Sequence, residues 1–228
     1  MMEPRIPMYI AVWLESGCGN ESRGIWLPLP ATKKEFLAAQ EAIYVEYSNI
    51  YIMSYNVRIP GVGRDMLLSA SLGRANYLAS RIMALDNEQL MKLAAIYDSD
   101  RYFDSLEQYI DYTYNHDSYT LIPGVKNPAD LGRMYLDGED FAAVPGDLKK
   151  CIDPYKLGAN IAKAVDGQFT ALGYLTTENG WSAAPKARKT PAALDLTGSK
   201  GESLFGIRYS RYWPDSEYYE DETGGEQQ

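Results

Sequence analysis

Apolar and polar positions alternate in blocks along this chain, and each block predicts an element. MYIAVWLE (8–15) is a run of β-branched and aromatic residues that reads as a strand, ended by the turn-rich SGCGNESRG. GIWLPLP follows as a second extended piece. At Thr32 the period changes: TKKE is a capping box, and Phe36, Leu37, Ala39 and Ile43 supply one apolar helical face. YVEYSNIYIMSYNV (44–57) predicts one or two further strands, and IPGVG (59–63) breaks the chain. Ser71 to Tyr97 is helical throughout: Leu72, Ala75, Ala79, Ile82 and Met83 repeat at helical spacing, and DNEQ (86–89) starts a second helix with Leu90, Leu93, Ala94 and Tyr97 inward.

The third block starts with Asp104, placed as the cap of SLEQYIDYTY. Leu106, Tyr109, Ile110 and Tyr114 share one face of this helix. Asp104, Glu107 and Asp111 share another, so Glu107 and Asp111 are expected to point into solvent. IPGVKNPADLG leads into a short element, DLGRMYLD. DLKKCIDPYKLGANIAKAV predicts a helix broken around Pro154, and GQFTALGYLTT a strand or hairpin arm. Beyond Trp181 the composition shifts to Ala, Pro, Lys, Ser and Gly, then to a tail with acids and no base after Trp213. The expected fold class is α+β, an elongated chain of three small units with a C-terminal extension. An α+β unit spans 1–60, a helical unit 61–102 and a second α+β unit 103–181, with 182–228 a linker and weakly ordered tail.

Totals narrow the class. The chain has 228 residues, 46% of them hydrophobic, enough to bury roughly 70–75% of its unfolded surface without staples. Cys18 and Cys151 form no CxxC pair and fit a reducing compartment. No segment reaches the ~20 apolar residues that span a bilayer, and the expected location is the cytoplasm. The net charge is −9, the opposite of a nucleic-acid binder's usual balance. That charge is unevenly spread. From Asp86 to Asp140 twelve acids face only Lys92, Arg101, Lys126 and Arg133, whereas residues 1–85 are nearly balanced.

Motifs for catalysis are poor. His116 is the only histidine, it sits in the polar stretch NHDSY, and no GxSxG elbow accompanies it. One histidine and two distant cysteines make no metal set. A calcium loop begun at Asp98 would need glycine where Phe103 stands and glutamate where Tyr109 stands. GVGRD (61–65) lacks the lysine and final glycine of a phosphate cradle and reads as a turn. KARK (186–189) is the only basic cluster. No cofactor is implied.

The acids of DSDRYFDSLEQYIDYTYNHDSY (98–119) remain. Asp98, Asp100, Asp104, Glu107, Asp111 and Asp117 face one cation, Arg101, and lie among tyrosines. A helix face shaped only for solubility would carry lysine at i+4, a pair worth about 0.2–0.5 kcal/mol; like charges cost a similar amount. Carboxylates about 5–6 Å apart on a rigid helix repeat more like a nucleic-acid backbone than like a catalytic pair.

Several stretches together resemble the ArdA-type antirestriction proteins: GIWLPLP with the capping box, YFDSLEQYID, LIPGVKNPADLGRMYLD and CIDPYKLGANIAKAVDGQFTALGYL, in order, over roughly residues 8 to 181. The resemblance implies an acidic homodimer without catalytic activity that mimics bent duplex DNA and occupies the DNA-binding groove of type I restriction-modification enzymes, on their modification and specificity subunits. Mobile elements and phages carry such proteins. It would give the mimic role to Asp98, Asp100, Asp104, Glu107, Asp111, Asp117, Asp130, Asp137, Glu139 and Asp140. Dimerisation through the third unit would place Leu131, Met134, Tyr135 and Leu136 at the interface. Direct nucleic-acid binding and membrane partners are not expected. The chain departs from the family pattern in the lysines of KKCIDPYKLGANIAKAV and in its C-terminal extension. Two other readings stay open: an acidic binding protein of the same fold aimed at another DNA-processing or regulatory protein, and a hydrolase using a carboxylate pair.

Overall fold

The computed structural model describes residues 8–17, 22–44, 49–99, 101, 103–178, 181, 186 and 188–196. The fold is α+β, with eight α-helices and two three-stranded antiparallel sheets among these residues. Asp100, Cys18 and the acidic tail lie outside them.

The first sheet is ordered β2-β1-β3, from β1 (Tyr9–Ser16), β2 (Arg23–Leu29) and β3 (Ile50–Arg58). Alternation along β1 turns Ile10, Val12, Leu14 and Ser16 to the buried face. That face is covered by α1 (Lys33–Ile43) and α3 (Leu72–Met83). The capping box at Thr32 forms as its sequence requires: Thr32 Oγ1 accepts from Glu35 N at 3.2 Å, and Glu35 Oε2 accepts from Thr32 N at 2.7 Å. Donation to that carboxylate from Thr32 N, and from Thr32 Oγ1 at 2.7 Å, holds the Glu35 carboxyl below the usual carboxylate range. A short α2 (Arg64–Leu68) follows β3, and α4 (Asn87–Asp98) starts on the capping box of Asp86 and Gln89.

Helix α5 (Leu106–Asn115) begins one residue later than expected. Its cap is Ser105, not Asp104, because Ser105 and Gln108 make the reciprocal box: Gln108 N donates to Ser105 Oγ at 3.4 Å, and Ser105 N to Gln108 Oε1 at 3.1 Å. The helix is enclosed on most sides, with Leu106, Tyr109, Ile110, Asp111, Tyr112 and Thr113 all buried.

The second sheet is ordered β4-β6-β5, from β4 (Tyr119–Pro123), β5 (Gln168–Phe169) and β6 (Gly173–Thr177). Beside it lie α6 (Pro128–Asp137) and α8 (Pro154–Ala164), and the short α7 (Gly146–Lys149) falls between them in sequence, so the helix expected around Pro154 is two helices, with proline in the first turn of the second. Two glycines set how close α6 and α8 come. A Cβ on Gly132 would lie 1.8 Å from Pro154 O, and one on Gly158 would lie 1.9 Å from Pro128 O.

Buried apolar side chains gather into two clusters. The larger runs from Ile10 on β1 through α1, α3, α4 and α5 to Leu175 and Leu196; the smaller holds Val125, Leu131, Ala162 and Tyr174. Strand β6 joins them, since its alternation sends Leu175 into the first and Tyr174 into the second. The first sheet and the helices after it share one core. Leu196 is 2% exposed within that core, so residues 188–196 are a docked segment and not the solvated linker expected from composition. No helix among the described residues is long and apolar enough to cross a membrane.

Candidate partner-binding surface

The acidic residues of 98–119 do not form one exposed stripe. Asp111 is a buried carboxylate, 8% exposed, and its Oδ1 accepts from Arg188 Nε and pairs with Arg188 Nη2, each at 3.1 Å. Glu107, half-buried, forms a two-pronged ion pair with Arg74 of α3: Nε donates to Oε1 at 3.1 Å, and Nη2 meets Oε2. The expectation that both carboxylates face solvent is corrected for Asp111, whereas Glu107 keeps a side chain 43% exposed but is answered by Arg74. Their cations come from 33 and 77 residues away, beyond the reach of any i+4 argument.

Tyrosines explain why α5 is so enclosed. Phe103 packs edge-on to Tyr109 at 5.2 Å between ring centres and lies 5.9 Å from Tyr112, and Tyr119 continues the cluster towards Trp181. Tyr109 donates to Pro60 O at 3.0 Å, and Tyr112 donates to Gln89 O. Burial pushes the hydroxyls of Tyr109, Tyr112 and Tyr119 above the ordinary tyrosine value. These rings fasten α5 to the loop after β3 and to α4.

The remaining acids lie outward. Asp98, at the end of α4, is exposed and its Oδ2 accepts from Ala171 N at 2.6 Å. Asp98 and Asp104 line one cleft of about 690 Å³ with Gly61, Tyr97 and Phe103. Asp104 also lines an adjoining cleft with Asp65, Arg74 and Glu107. Asp65 sits on α2, within the stretch whose balanced charge hid it. Asp117 has a side chain 91% exposed; its Oδ1 lies 3.0 Å from His116 Nδ1, and that contact forms no hydrogen bond. Asp130, in the first turn of α6, is tied to Arg133 at 3.0 Å and Asn127 at 2.6 Å. Asp137, Glu139 and Asp140 are exposed where α6 ends, and they make no ion pair among the described residues. No group of three His, Cys, Asp or Glu side chains among the described residues could hold a metal ion.

Of the four apolar positions expected at a dimer interface, Leu131 is 0% and Leu136 8% exposed within the chain's own fold. Met134 and Tyr135 are half-buried against the second core, which leaves them the two with surface to offer.

Over residues 8–176, from the start of the first sheet to the penultimate residue of β6, the chain matches the antirestriction protein family ArdA. It belongs to that family. The match takes in both sheets and all eight helices but not the segment carrying Arg188. Among the curated proteins no match was found. Membership in the ArdA family carries antirestriction as the chain's general role.

Proposed function

We propose that this ArdA-family protein is a non-enzymatic DNA mimic, acting in the cytoplasm as a homodimer in the DNA-binding groove of a type I restriction-modification enzyme. The carrying observation is that Asp104, Asp137, Glu139 and Asp140 stay exposed and free of ion pairs among the described residues, and that exposed Asp117 faces only His116, although Arg74, Arg133 and Arg188 neutralise other acids nearby. Carboxylates held in this state keep their charge for a basic groove. Asp65 and Asp98 join them through the clefts they share with Asp104. Bringing two copies together through Met134 and Tyr135 would extend the acidic surface. In this reading 1–60, 61–102 and 103–181 are the family's three units, the first two sharing one core that α5 and Leu175 of the third also enter.

Internal pairing at Glu107 and Asp111 favours a second reading. The same fold could serve a partner that needs fewer negative charges, such as another DNA-processing or regulatory protein. Capture of purified modification and specificity subunits by the immobilised protein, at rising salt, separates the two. The first reading expects capture that weakens steeply with salt and is displaced by duplex DNA. Capture insensitive to salt and to DNA would point to the other partner class.

A further inference from the structure

Arg188 to Leu196 crosses α3 and α5 as a strap lying beyond the family match. Its two ends are held differently. At the far end Leu196 is sunk in the large core, Leu194 packs against it, and Leu194 O accepts from Asn76 Nδ2 at 3.0 Å. At the near end the hold is polar. Arg188 pairs with Asp111, its guanidinium lies 4.0 Å from the centre of the Tyr114 ring, and Arg74 Nη1 donates to Arg188 O at 2.7 Å and to Thr190 Oγ1 at 3.2 Å. Pro191 begins a turn between the two, closed by Leu194 N donating to Pro191 O at 2.9 Å.

We infer that residues 188–190 are a built-in competitor, a basic strap whose Arg188 occupies the Asp111 carboxylate of α5 and is displaced when a partner's arginine-bearing groove engages it. This rests on the DNA-mimic reading and adds its regulation. The guanidinium of Arg188 occupies Asp111 as a groove cation would. Replacing it with a partner's guanidinium exchanges like for like at Asp111, and the displacement also exchanges the two Arg74 hydrogen bonds to Arg188 O and Thr190 Oγ1 for bonds to water as three residues move about the Pro191 turn. The Arg188 side chain is 28% exposed and the Asp111 side chain 11%, so a partner reaches Asp111 only as Arg188 leaves it. The apolar anchor at Leu194 and Leu196 keeps the segment on the molecule while its charged end swings free. In the free protein the strap lowers the negative field of this face, which slows encounter with basic partners and favours those with enough cations to replace it.

Two measurements on the full chain test this with type I enzyme as the probe. The first compares association rates for Arg188→Gln with Lys189→Ser against a control of equal net charge, Lys33→Ser with Lys34→Ser, whose side chains are exposed on α1. The strap variant should associate about threefold or more faster than the control, because the charges it removes cover the contact surface. Equal rates, or a slower strap variant, overturn the proposal. The second keeps Arg188. A nitroxide is placed at Lys189→Cys in a chain carrying Cys18→Ser and Cys151→Ser. Its spectrum should sharpen when enzyme is added; an unchanged or broadened spectrum means the strap stays docked and the proposal fails. If neither the strap variant, the control nor the original chain associates, the DNA-mimic reading itself is refuted, a distinct result.

Discussion

Asp111 and Asp104 stand seven residues apart, and the structure gives them opposite duties. The carboxylate of Asp111 is enclosed, with Arg188 as its cation, so removing its charge leaves a guanidinium partly buried without a partner. Asp111→Asn should lower stability by about 1–3 kcal/mol, read as a fall in the thermal midpoint. Asp104 is exposed and precedes the cap, so Asp104→Asn should leave the midpoint unchanged. Equal melting of the two variants would mean that the Arg188 pair contributes nothing. Neutralising Asp104, Glu107 and Asp111 together is thus a poor probe of binding, since two of the three changes break internal ion pairs.

At the scale of elements, the contact between α6 and α8 depends on glycine. Gly132→Ala adds one methyl group that would meet Pro154 O at 1.8 Å. In an exposed helix the same swap gains about 1 kcal/mol. Here the helices must part, and overpacking of this kind costs roughly 1–3 kcal/mol. The expected outcome is a lower melting midpoint with loss of order around Tyr174; a midpoint at or above that of the original chain would contradict the close packing. These helices were legible from period and caps, and Thr32–Glu35 and Asp86–Gln89 formed as written because capping is local. The glycine contact was not, since a glycine inside an amphipathic pattern carries no sign of what approaches it. Nor was the docking of 188–196: Leu194 and Leu196 are too few apolar residues to show as a period. The start of α5 was missed by one residue because Asp104 is as competent a cap as Ser105, and only Gln108 decides between them.

Over the whole molecule, the tyrosines couple stability to alkaline pH. Burial raises the hydroxyls of Tyr109, Tyr112 and Tyr119, and Tyr174 is pushed up to about 12. Unfolded tyrosines release their protons near pH 10, while the folded chain retains them. Their contribution is therefore complete below about pH 10 and is lost as pH rises above it. Tyrosinate absorbance and melting, followed together from pH 9 to 12, should show the buried rings ionising only as the fold is lost. Full ionisation near pH 10 in a chain that is still folded would contradict the enclosed aromatic cluster. At this scale the sequence conveyed the family and the weight of acid between Asp86 and Asp140. It could not show which acids are answered from within, because Arg74 and Arg188 reach α5 only through the fold.

In the proposed DNA mimic, the acids left unanswered are the ones a basic groove meets. Asp137→Asn, Glu139→Gln and Asp140→Asn, made together, neutralise three such side chains where α6 ends, away from both cores. The decisive measurement is the association rate with purified type I restriction-modification enzyme at two salt concentrations, beside a thermal melt. The melt should be unchanged, the association rate lower by about tenfold at low salt, and the salt dependence smaller. An unchanged melt with unchanged rates at both salt concentrations would contradict DNA mimicry by these acids.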